Sequence, residues 1–279
     1  MGKLGAVPFG TVPFLFLFAA SFAALFTLNA LRPARRWWPL VGPGFFASWL
    51  TGELAPHHLL WQALAFALFL WAGALAKWPG WVGAGLALLS WGGLLVLLSE
   101  ARRARGVMEA ALRETLGDGY REQIAPALRH DLDETWTLRQ RLFPLPVWDA
   151  RVERIRNIVF HRVGKLSMRL DVYRPRVRSG PCPTILHVHG GAWMVGRKDD
   201  QGKPLAYRMA AHGWVVVSAN YRLSPRFTFP EHLIDVKAAL AWIREHGAEF
   251  GADPDFVVIT GGSAGGHLAA LAALTPNDP

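Results

Sequence analysis

The sequence predicts an α/β fold over residues 151–279 and an all-α apolar region ahead of it. Within residues 151–279, short apolar runs of strand type alternate with stretches of helical pattern, which is typical of a sheet covered by helices. Residues 1–100 differ in composition, since they hold only 7 charged side chains and 8 of the 13 tryptophans. A mean composition over the whole chain therefore describes neither part.

Five strands and three helices are predicted in the α/β region. The strands fall at residues 155–161, 167–173, 184–188, 214–219 and 256–260, and the helices at residues 205–211, 230–246 and 265–274. The first two strands alternate between apolar and polar residues, which favours an antiparallel hairpin. The later three are continuous apolar runs between helices, as expected for parallel strands with both faces buried.

Two glycine-rich motifs follow predicted strands in this region. Gly261-Gly262-Ser263-Ala264-Gly265 lies between a strand and a small-residue helix, where a sharp turn can expose a serine hydroxyl for nucleophilic attack. His189-Gly190-Gly191-Ala192-Trp193 follows another strand, and the backbone N–H groups of such a loop can stabilise a developing oxyanion. Together the two motifs predict acyl-transfer chemistry more strongly than either does alone.

The pair of motifs resembles the α/β-hydrolase fold, and more closely its hormone-sensitive-lipase-like branch of serine esterases and lipases. The stretches at residues 219–225 and 235–242 are similar to neighbours of the active site in that family. The resemblance covers the chain from about Arg154 onward.

The resemblance implies roles for the residues of both motifs. Ser263 would be the nucleophile, and His189 would order the loop that carries the oxyanion donors. The implied oxyanion-hole residues are Gly190, which shapes the loop, and Gly191, Ala192 and Ala264, which donate backbone N–H groups. Two positions depart from the family pattern, because Ala192 replaces a commoner third glycine and Gly262 replaces a frequent Asp.

Chain order bears on the other members of a catalytic triad. In this fold the acid and the histidine both follow the serine, and His267 and Asp278 are the only His or acidic residues downstream of Ser263. His267 lies on the helix directly after Ser263, so a packing or hydrogen-bonding role is predicted for it. The predicted fold class is therefore the N-terminal half of an α/β-hydrolase sheet, incomplete at residue 279, with the acid and base expected beyond that residue.

Charge-free runs in the apolar region predict transmembrane helices at residues 12–31, 58–76 and 80–99, each near the roughly 20 residues that a bilayer core requires. The last two would form a hairpin across the turn at residues 77–80. Small residues would let the two helices of this hairpin approach closely. These are Ala63 with Ala67 and Gly83 with Ala87. Residues 45–54 are apolar but short and carry Glu53, which favours an interfacial or re-entrant segment over a fourth span.

Arginine placement predicts the orientation of this transmembrane region. Two clusters follow the first and third spans: Arg32, Arg35 and Arg36, and Arg102, Arg103 and Arg105. Three spans put both clusters on the cytoplasmic side of the plasma membrane, and the α/β region with them. A cleaved signal peptide is disfavoured, because the positive charges follow the first apolar run instead of preceding it.

Residues 101–150 are predicted to be a helical linker or a cap over the site. A helix at residues 109–116 ends at a pair of glycines, and residues 136–148 form a second apolar cluster interrupted by prolines. A cap beside a membrane would suit a lipophilic substrate, whereas a linker would pack on the flank of the α/β region.

Composition narrows the function classes. The net charge of +9 is scattered among acids, without the basic run or aromatic interleaving of a nucleic-acid site. Cys182 is the only cysteine, which excludes an internal disulfide and a cysteine-based metal site. No metal or cofactor is expected.

The predicted function is that of a membrane-anchored serine hydrolase that cleaves small lipophilic acyl esters through an acyl-enzyme on Ser263. An amidase or aryl-formamidase of the same fold is an alternative, because acyl-transfer machinery does not distinguish an ester from an amide. A second alternative is a truncated membrane protein without catalytic activity. A serine without its base is a weak nucleophile, so residues 1–279 by themselves are expected to be inactive.

Overall fold

The computed structural model describes residues 10–33, 38–124, 126, 148–178 and 180–275. They fall into two compact units, one over Met1–Phe143 and one over Pro144–Pro279. Most of the apolar cluster predicted at residues 136–148, and Asp278, lie outside the described residues.

The first unit is helical. Its helices are α1 (Val12–Leu31), α2 (Trp38–Glu53), α3 (Ala55–Trp71) and α4 (Trp78–Leu116). The helix α4 joins the predicted span at residues 80–99 and the predicted helix at residues 109–116 into one element of 39 residues. At 1.5 Å per residue it is about 58 Å long, roughly twice the thickness of a bilayer core.

Two of these helices, α1 and α4, are long and apolar enough to cross a membrane. The helices Val41–Glu53 and Ala55–Trp71 pass the same test only as a pair, and they are bent by 87° at the break between them. The pair is therefore a broken span or a re-entrant loop. Among the described helices, two are thus long and apolar enough to cross a membrane, or three if the bent pair counts as one span.

The helices α1 and α4 pack side by side and run in the same direction. A Cβ added at Gly83, near the start of α4, would lie 3.1 Å from the Phe16 ring of α1, whereas one added at Gly93 would lie 2.6 Å from Thr27. Midway, the Ser90 hydroxyl lies 2.9 Å from the Thr27 hydroxyl. Because the numbers of the contacting residues increase together along α1 and α4, the two helices are parallel.

The predicted small-residue interface was half wrong. Gly83 and Ala87 are buried, but Gly83 faces α1 and not α3. Ala63 and Ala67 of α3 are exposed among the described residues, so they do not bring α3 close to a neighbour. The sequence shows which residues are small, but it does not show which of three neighbouring helices a face will meet.

The second unit is an α/β sheet. Its elements are β1 (Val152–Val163), β2 (Leu166–Pro175), β3 (Cys182–Val188), α5 (Lys203–Ala211), β4 (Val215–Ala219), α6 (Glu231–His246), β5 (Ala252–Gly261) and α7 (Ala264–Leu274). All five predicted strands and all three predicted helices are confirmed. The strand order is β1-β2-β4-β3-β5. As predicted, β1 and β2 form an antiparallel hairpin, and β4, β3 and β5 are parallel.

Helices cover both faces of this sheet. On one face, Leu170, Leu186 and Val217 pack against α6 and α7 through side chains such as Val236 and Leu268. On the other face, α5 packs through Ala206, Tyr207 and Ala210 against Tyr173, Ile185 and Val216. Because β4, β3 and β5 are parallel neighbours, the loops that follow them emerge at one edge of the sheet, where ligand sites of α/β folds are found.

Candidate active site

Ser263 occupies a strained turn between β5 and α7. Its backbone has φ 53° and ψ −120°, in a region that non-glycine residues rarely adopt. The turn is pressed against the end of β3, since a Cβ added at Gly265 would lie 2.1 Å from the Val188 carbonyl oxygen. Ser263 is itself exposed. A strained turn that presents an exposed hydroxyl is the geometry of a nucleophile elbow.

The loop after β3 has three consecutive residues with positive φ. The values are 125° at Gly191, 52° at Ala192 and 60° at Trp193. A Cβ added at Gly191 would lie 1.9 Å from the Val195 carbonyl oxygen, so no other residue fits there without a backbone shift. The Val195 N–H in turn donates to the Gly191 carbonyl at 3.0 Å. This loop, residues 189–198, is called the oxyanion loop below.

The oxyanion loop and the Ser263 turn are in backbone contact. A Cβ added at Gly190 would lie 2.6 Å from the Gly262 carbonyl oxygen. This approach follows from the sheet order, in which β3 and β5 are adjacent and parallel. The structure therefore brings the two sequence motifs together at one edge of the sheet.

The backbone N–H groups of Gly191, Ala192 and Ala264 donate no hydrogen bond to any described residue. By contrast, the Gly190 N–H donates to Gln201 Oε1 at 3.0 Å. The first three are therefore available to a developing oxyanion, whereas Gly190 is already engaged. The roles given to these residues, with Gly190 shaping the loop and the other three donating to an oxyanion, stay predictions.

His189 is fully buried at the start of the oxyanion loop. Its Nδ1 lies 2.8 Å from the Gly190 carbonyl oxygen, and its ring stacks on Tyr221 with centroids 4.4 Å apart. The Tyr221 hydroxyl donates to the His189 carbonyl at 3.1 Å. Burial lowers the pKa of His189, although the hydrogen bond with Gly190 acts in the opposite direction. A neutral imidazole thus packs beneath the loop.

Three hydrogen bonds hold the remaining part of the oxyanion loop. The Ser224 N–H donates to the Trp193 carbonyl at 2.8 Å. At Lys198 the backbone N–H donates to Asn220 Oδ1 at 2.7 Å, and the carbonyl accepts from the Ser218 hydroxyl at 2.8 Å. Ser218, Asn220 and Ser224 lie at or after the end of β4, so the neighbouring strand fixes the loop from one side.

The Lys198 side chain reaches a buried carboxylate that the sequence analysis missed. Its Nζ lies 2.7 Å from Asp171 Oδ1, and Arg154 Nε donates to Asp171 Oδ2 at 3.0 Å. The Asn157 N–H donates to Asp171 Oδ1 at 2.8 Å. Asn157 itself has φ 61° and lies at an irregularity in the pairing of β1 with β2. The only sequence signal was one acidic residue within an otherwise apolar part of β2.

The cluster of Asp171, Arg154 and Lys198 keeps the carboxylate ionised. Burial alone would raise the pKa of Asp171, but hydrogen bonds from Lys198, Asn157 and Arg154 outweigh it, and the pKa lies below its ordinary value. Lys198 and Asp171 are 5% and 0% exposed. A charge pair this buried is costly to break, so the cluster fixes the end of the oxyanion loop.

No described histidine forms a hydrogen bond with the Ser263 hydroxyl. His267 is exposed and packs edge-on against the Trp193 ring, with centroids 5.4 Å apart. A serine near a histidine does occur elsewhere, since Ser224 Oγ lies 3.2 Å from His232 Nε2. That hydroxyl donates to the Phe227 carbonyl at 3.0 Å, so its proton is already committed.

Comparison with known proteins gives three findings. Residues 170–279 match the BD-FAE family model. The probable carboxylic ester hydrolase LipM of Mycobacterium tuberculosis is 39% identical over 274 residues, which are 94% of this chain and 61% of LipM. Esterase LipQ of the same organism is 41% identical over 186 residues, which are 64% of this chain and 43% of LipQ. The chain thus spans less than two thirds of the length of either relative.

Among solved structures, a bacterial heroin esterase is 32% identical, with a TM-score of 0.41 over 46% of this chain and 41% of that one. In sequence the chain is thus similar to proteins named as carboxylic ester hydrolases, and its residues 170–279 are similar to the BD-FAE family.

Proposed function

We propose that the full-length protein is a membrane-anchored serine hydrolase that cleaves carboxylic esters through an acyl-enzyme on Ser263. The observation that carries the proposal is the exposed, strained Ser263 turn beside three backbone N–H groups with no described partner. The relatives LipM and LipQ, named as ester hydrolases, support the reaction class. Apolar surface on α1 and α4 supports a lipophilic substrate presented near a membrane.

The proposed reaction begins with attack of Ser263 Oγ on the ester carbonyl carbon. The hydroxyl proton passes to a general base, and the carbonyl oxygen becomes an oxyanion held by the N–H groups of Gly191, Ala192 and Ala264. Collapse breaks the ester bond, the base returns the proton to the departing alcohol, and water then hydrolyses the acyl-enzyme. No described histidine engages Ser263, so the proposal assigns neither the base nor its acid to a described residue.

Hydrolysis of para-nitrophenyl butyrate by the full-length protein tests this function. Ser263→Ala should abolish turnover, because the acyl-enzyme cannot form. The control is Ser224→Ala, which removes a loop serine whose hydroxyl lies 3.2 Å from His232 Nε2. Turnover that survives Ser263→Ala, or that is lost equally in Ser224→Ala, would contradict the assignment. The anilide of the same acid, measured beside the ester, separates an esterase from an amidase.

The membrane part of the proposal rests on the parallel packing of α1 and α4. Two helices that run the same way through a bilayer need a return crossing between them, which α2 and α3 would supply as one bent span. Both arginine clusters then lie on one side, and the positive-inside rule makes that side cytoplasmic. The α/β unit would follow α4 on the cytoplasmic face of the plasma membrane.

Reporter fusions after residues 40, 78 and 110 test this orientation in cells. The expected signals are inside, outside and inside. An inside signal at residue 78 would mean that α2 and α3 re-enter without crossing. An outside signal at residue 110 would place the α/β unit on the opposite face and move its substrates outside the cytoplasm.

A further inference from the structure

A cavity lies beside the oxyanion loop. Its volume is about 340 Å³, and its wall includes Gly196 and Arg197 of the oxyanion loop. The rest of the wall comes from the start of β2 and from residues 220–227 after β4. Two of its lining residues, Gly196 and Tyr221, also contact His189 at the start of the oxyanion loop.

The cavity is positively charged. Four arginines line it and no acidic side chain does: Arg169, Arg197, Arg222 and Arg226. Arg222 is neutralised by Asp235 at 2.8 Å, and Arg197 lies 3.6 Å from Asp199. Arg169 and Arg226 form no ion pair with any described carboxylate. Two unpaired cations in a concave, partly apolar surface favour an anionic ligand.

The Phe227 ring orients the guanidinium of Arg226, one of the two unpaired arginines. The guanidinium carbons of Arg222 and Arg226 lie 5.3 and 5.4 Å from the centre of its ring. A cation over an aromatic face is oriented by the ring while its N–H donors remain available to a ligand. The apolar wall residues Leu166, Met168 and Leu223 would pack against methylene groups attached to the anion.

We infer that this cavity binds the carboxylate or phosphate of an anionic, amphiphilic ester whose acyl carbonyl reaches Ser263. This inference rests on the proposed function, since it names the substrate class of the same site. The end of β4 and the end of β5 are separated by β3 alone, so they lie about 10 Å apart at two strand spacings. The anionic group should therefore be separated from the ester by a chain of several methylenes.

A matched pair of substrates tests the inference. Para-nitrophenyl octanoate and the mono-para-nitrophenyl ester of suberate have the same acyl length, but only the second ends in a carboxylate. The measured quantity is the ratio of kcat/KM for the anionic ester to kcat/KM for the neutral one. Arg226→Gln and Arg169→Gln should each lower this ratio about tenfold, the effect of losing one charge-assisted hydrogen bond.

Arg244→Gln is the control, because Arg244 is exposed on α6 and does not line the cavity. It removes the same charge and should leave the ratio unchanged. An equal fall in Arg244→Gln would mean that net charge, not the cavity, selects the substrate. An unchanged ratio in both cavity variants would overturn the inference.

A binding experiment keeps the inference testable if no ester is hydrolysed, an outcome that would count against the proposed function alone. Calorimetry on the full-length Ser263→Ala protein measures affinity for the suberate monoester and for dihexanoyl phosphatidic acid. If adding Arg226→Gln to the Ser263→Ala protein weakens the binding of either ligand, the cavity is the anion site. The ligand that binds more tightly shows whether the preferred anion is a carboxylate or a lipid phosphate. Dihexanoyl phosphatidylcholine bound as tightly as phosphatidic acid, with no dependence on Arg226, would contradict it.

Discussion

The two loops of the candidate site hold unusual backbone conformations by different means. At the end of β5 the strain lies in one residue, Ser263, and close backbone packing of its glycine neighbours holds it. At the end of β3 the strain is spread over Gly191, Ala192 and Trp193. Side chains of Asp171 in β2 and Asn220 after β4, and the backbone N–H of Ser224, hold that loop at several points along its length.

This difference separates what a short motif encodes from what the whole fold encodes. The Ser263 turn needs only glycines within three residues of the serine, so its sequence is sufficient to recognise it. The oxyanion loop depends on Asp171 and Asn220, which lie far from it in sequence. Substitutions at such distant positions should therefore alter the loop while the motif itself stays unchanged.

The largest expected effect is on stability, at Asp171. Asp171→Asn leaves Lys198 buried without a counter-charge and should lower the free energy of unfolding by about 3–5 kcal/mol. Glu153→Gln is a matched control on the same hairpin, since Glu153 pairs with Arg174 at 2.9 Å but is 40% exposed. It should cost at most about 1 kcal/mol. Urea titration of both variants measures the difference in free energy of unfolding. Equal losses would show that the buried cluster stabilises the fold no more than the exposed ion pair does.

The next effect is on catalysis, within the oxyanion loop. Gly191→Val adds a side chain where a Cβ already overlaps the Val195 carbonyl, and it should lower kcat of the full-length protein by about 10²–10³, the scale of one lost oxyanion donor. Ala192→Gly keeps the donor and relieves a positive φ, so kcat should not change and stability should rise by at most about 1 kcal/mol. A severe defect in Ala192→Gly with a normal rate in Gly191→Val would reverse the placement of the donors.

The sequence was sufficient to predict the local features of the α/β unit. Five strands, their mixed pairing and the strand-turn-helix setting of Ser263 all follow from short patterns of apolar residues and glycines. The proximity of Gly190 to Gly262 also follows, because parallel neighbouring strands end at the same edge. These features depend on residues close together in sequence or on a general rule of sheet topology.

Contacts between residues that lie far apart in sequence could not be predicted from such short patterns. The contact of Lys198 with Asp171 depends on the order of β2 and β4 in the sheet and on the irregularity at Asn157. The exposed positions of Ala63 and Ala67 depend on α4 packing against α1 in parallel. In both cases the contact depends on how distant elements pack, which a local sequence pattern does not determine.

A smaller effect is expected on how the free energy of unfolding depends on pH, through His189 beneath the oxyanion loop. Burial lowers the pKa of His189 below its ordinary value of 6.5. The unfolded chain therefore binds the proton more readily than the folded one, and the free energy of unfolding should fall as pH drops below about 6.5. His187, which burial affects in the same direction, adds to this dependence.

His189→Gln should reduce that slope without removing it. Urea titrations of the detergent-solubilised protein between about pH 7.5 and pH 5.5 measure it, a range well above the region in which Asp171 titrates. A variant that keeps the full wild-type slope would show that the imidazole beneath the loop does not resist protonation.

The most direct test of the central claim is to find the residue that a fluorophosphonate modifies in the full-length protein. Such probes react with an activated serine and leave a phosphonyl group on its oxygen, which mass spectrometry of proteolytic peptides locates. We predict a single adduct, on Ser263, that is absent from the Ser263→Ala variant. An adduct on another residue, with Ser263 unmodified in an active preparation, would contradict it.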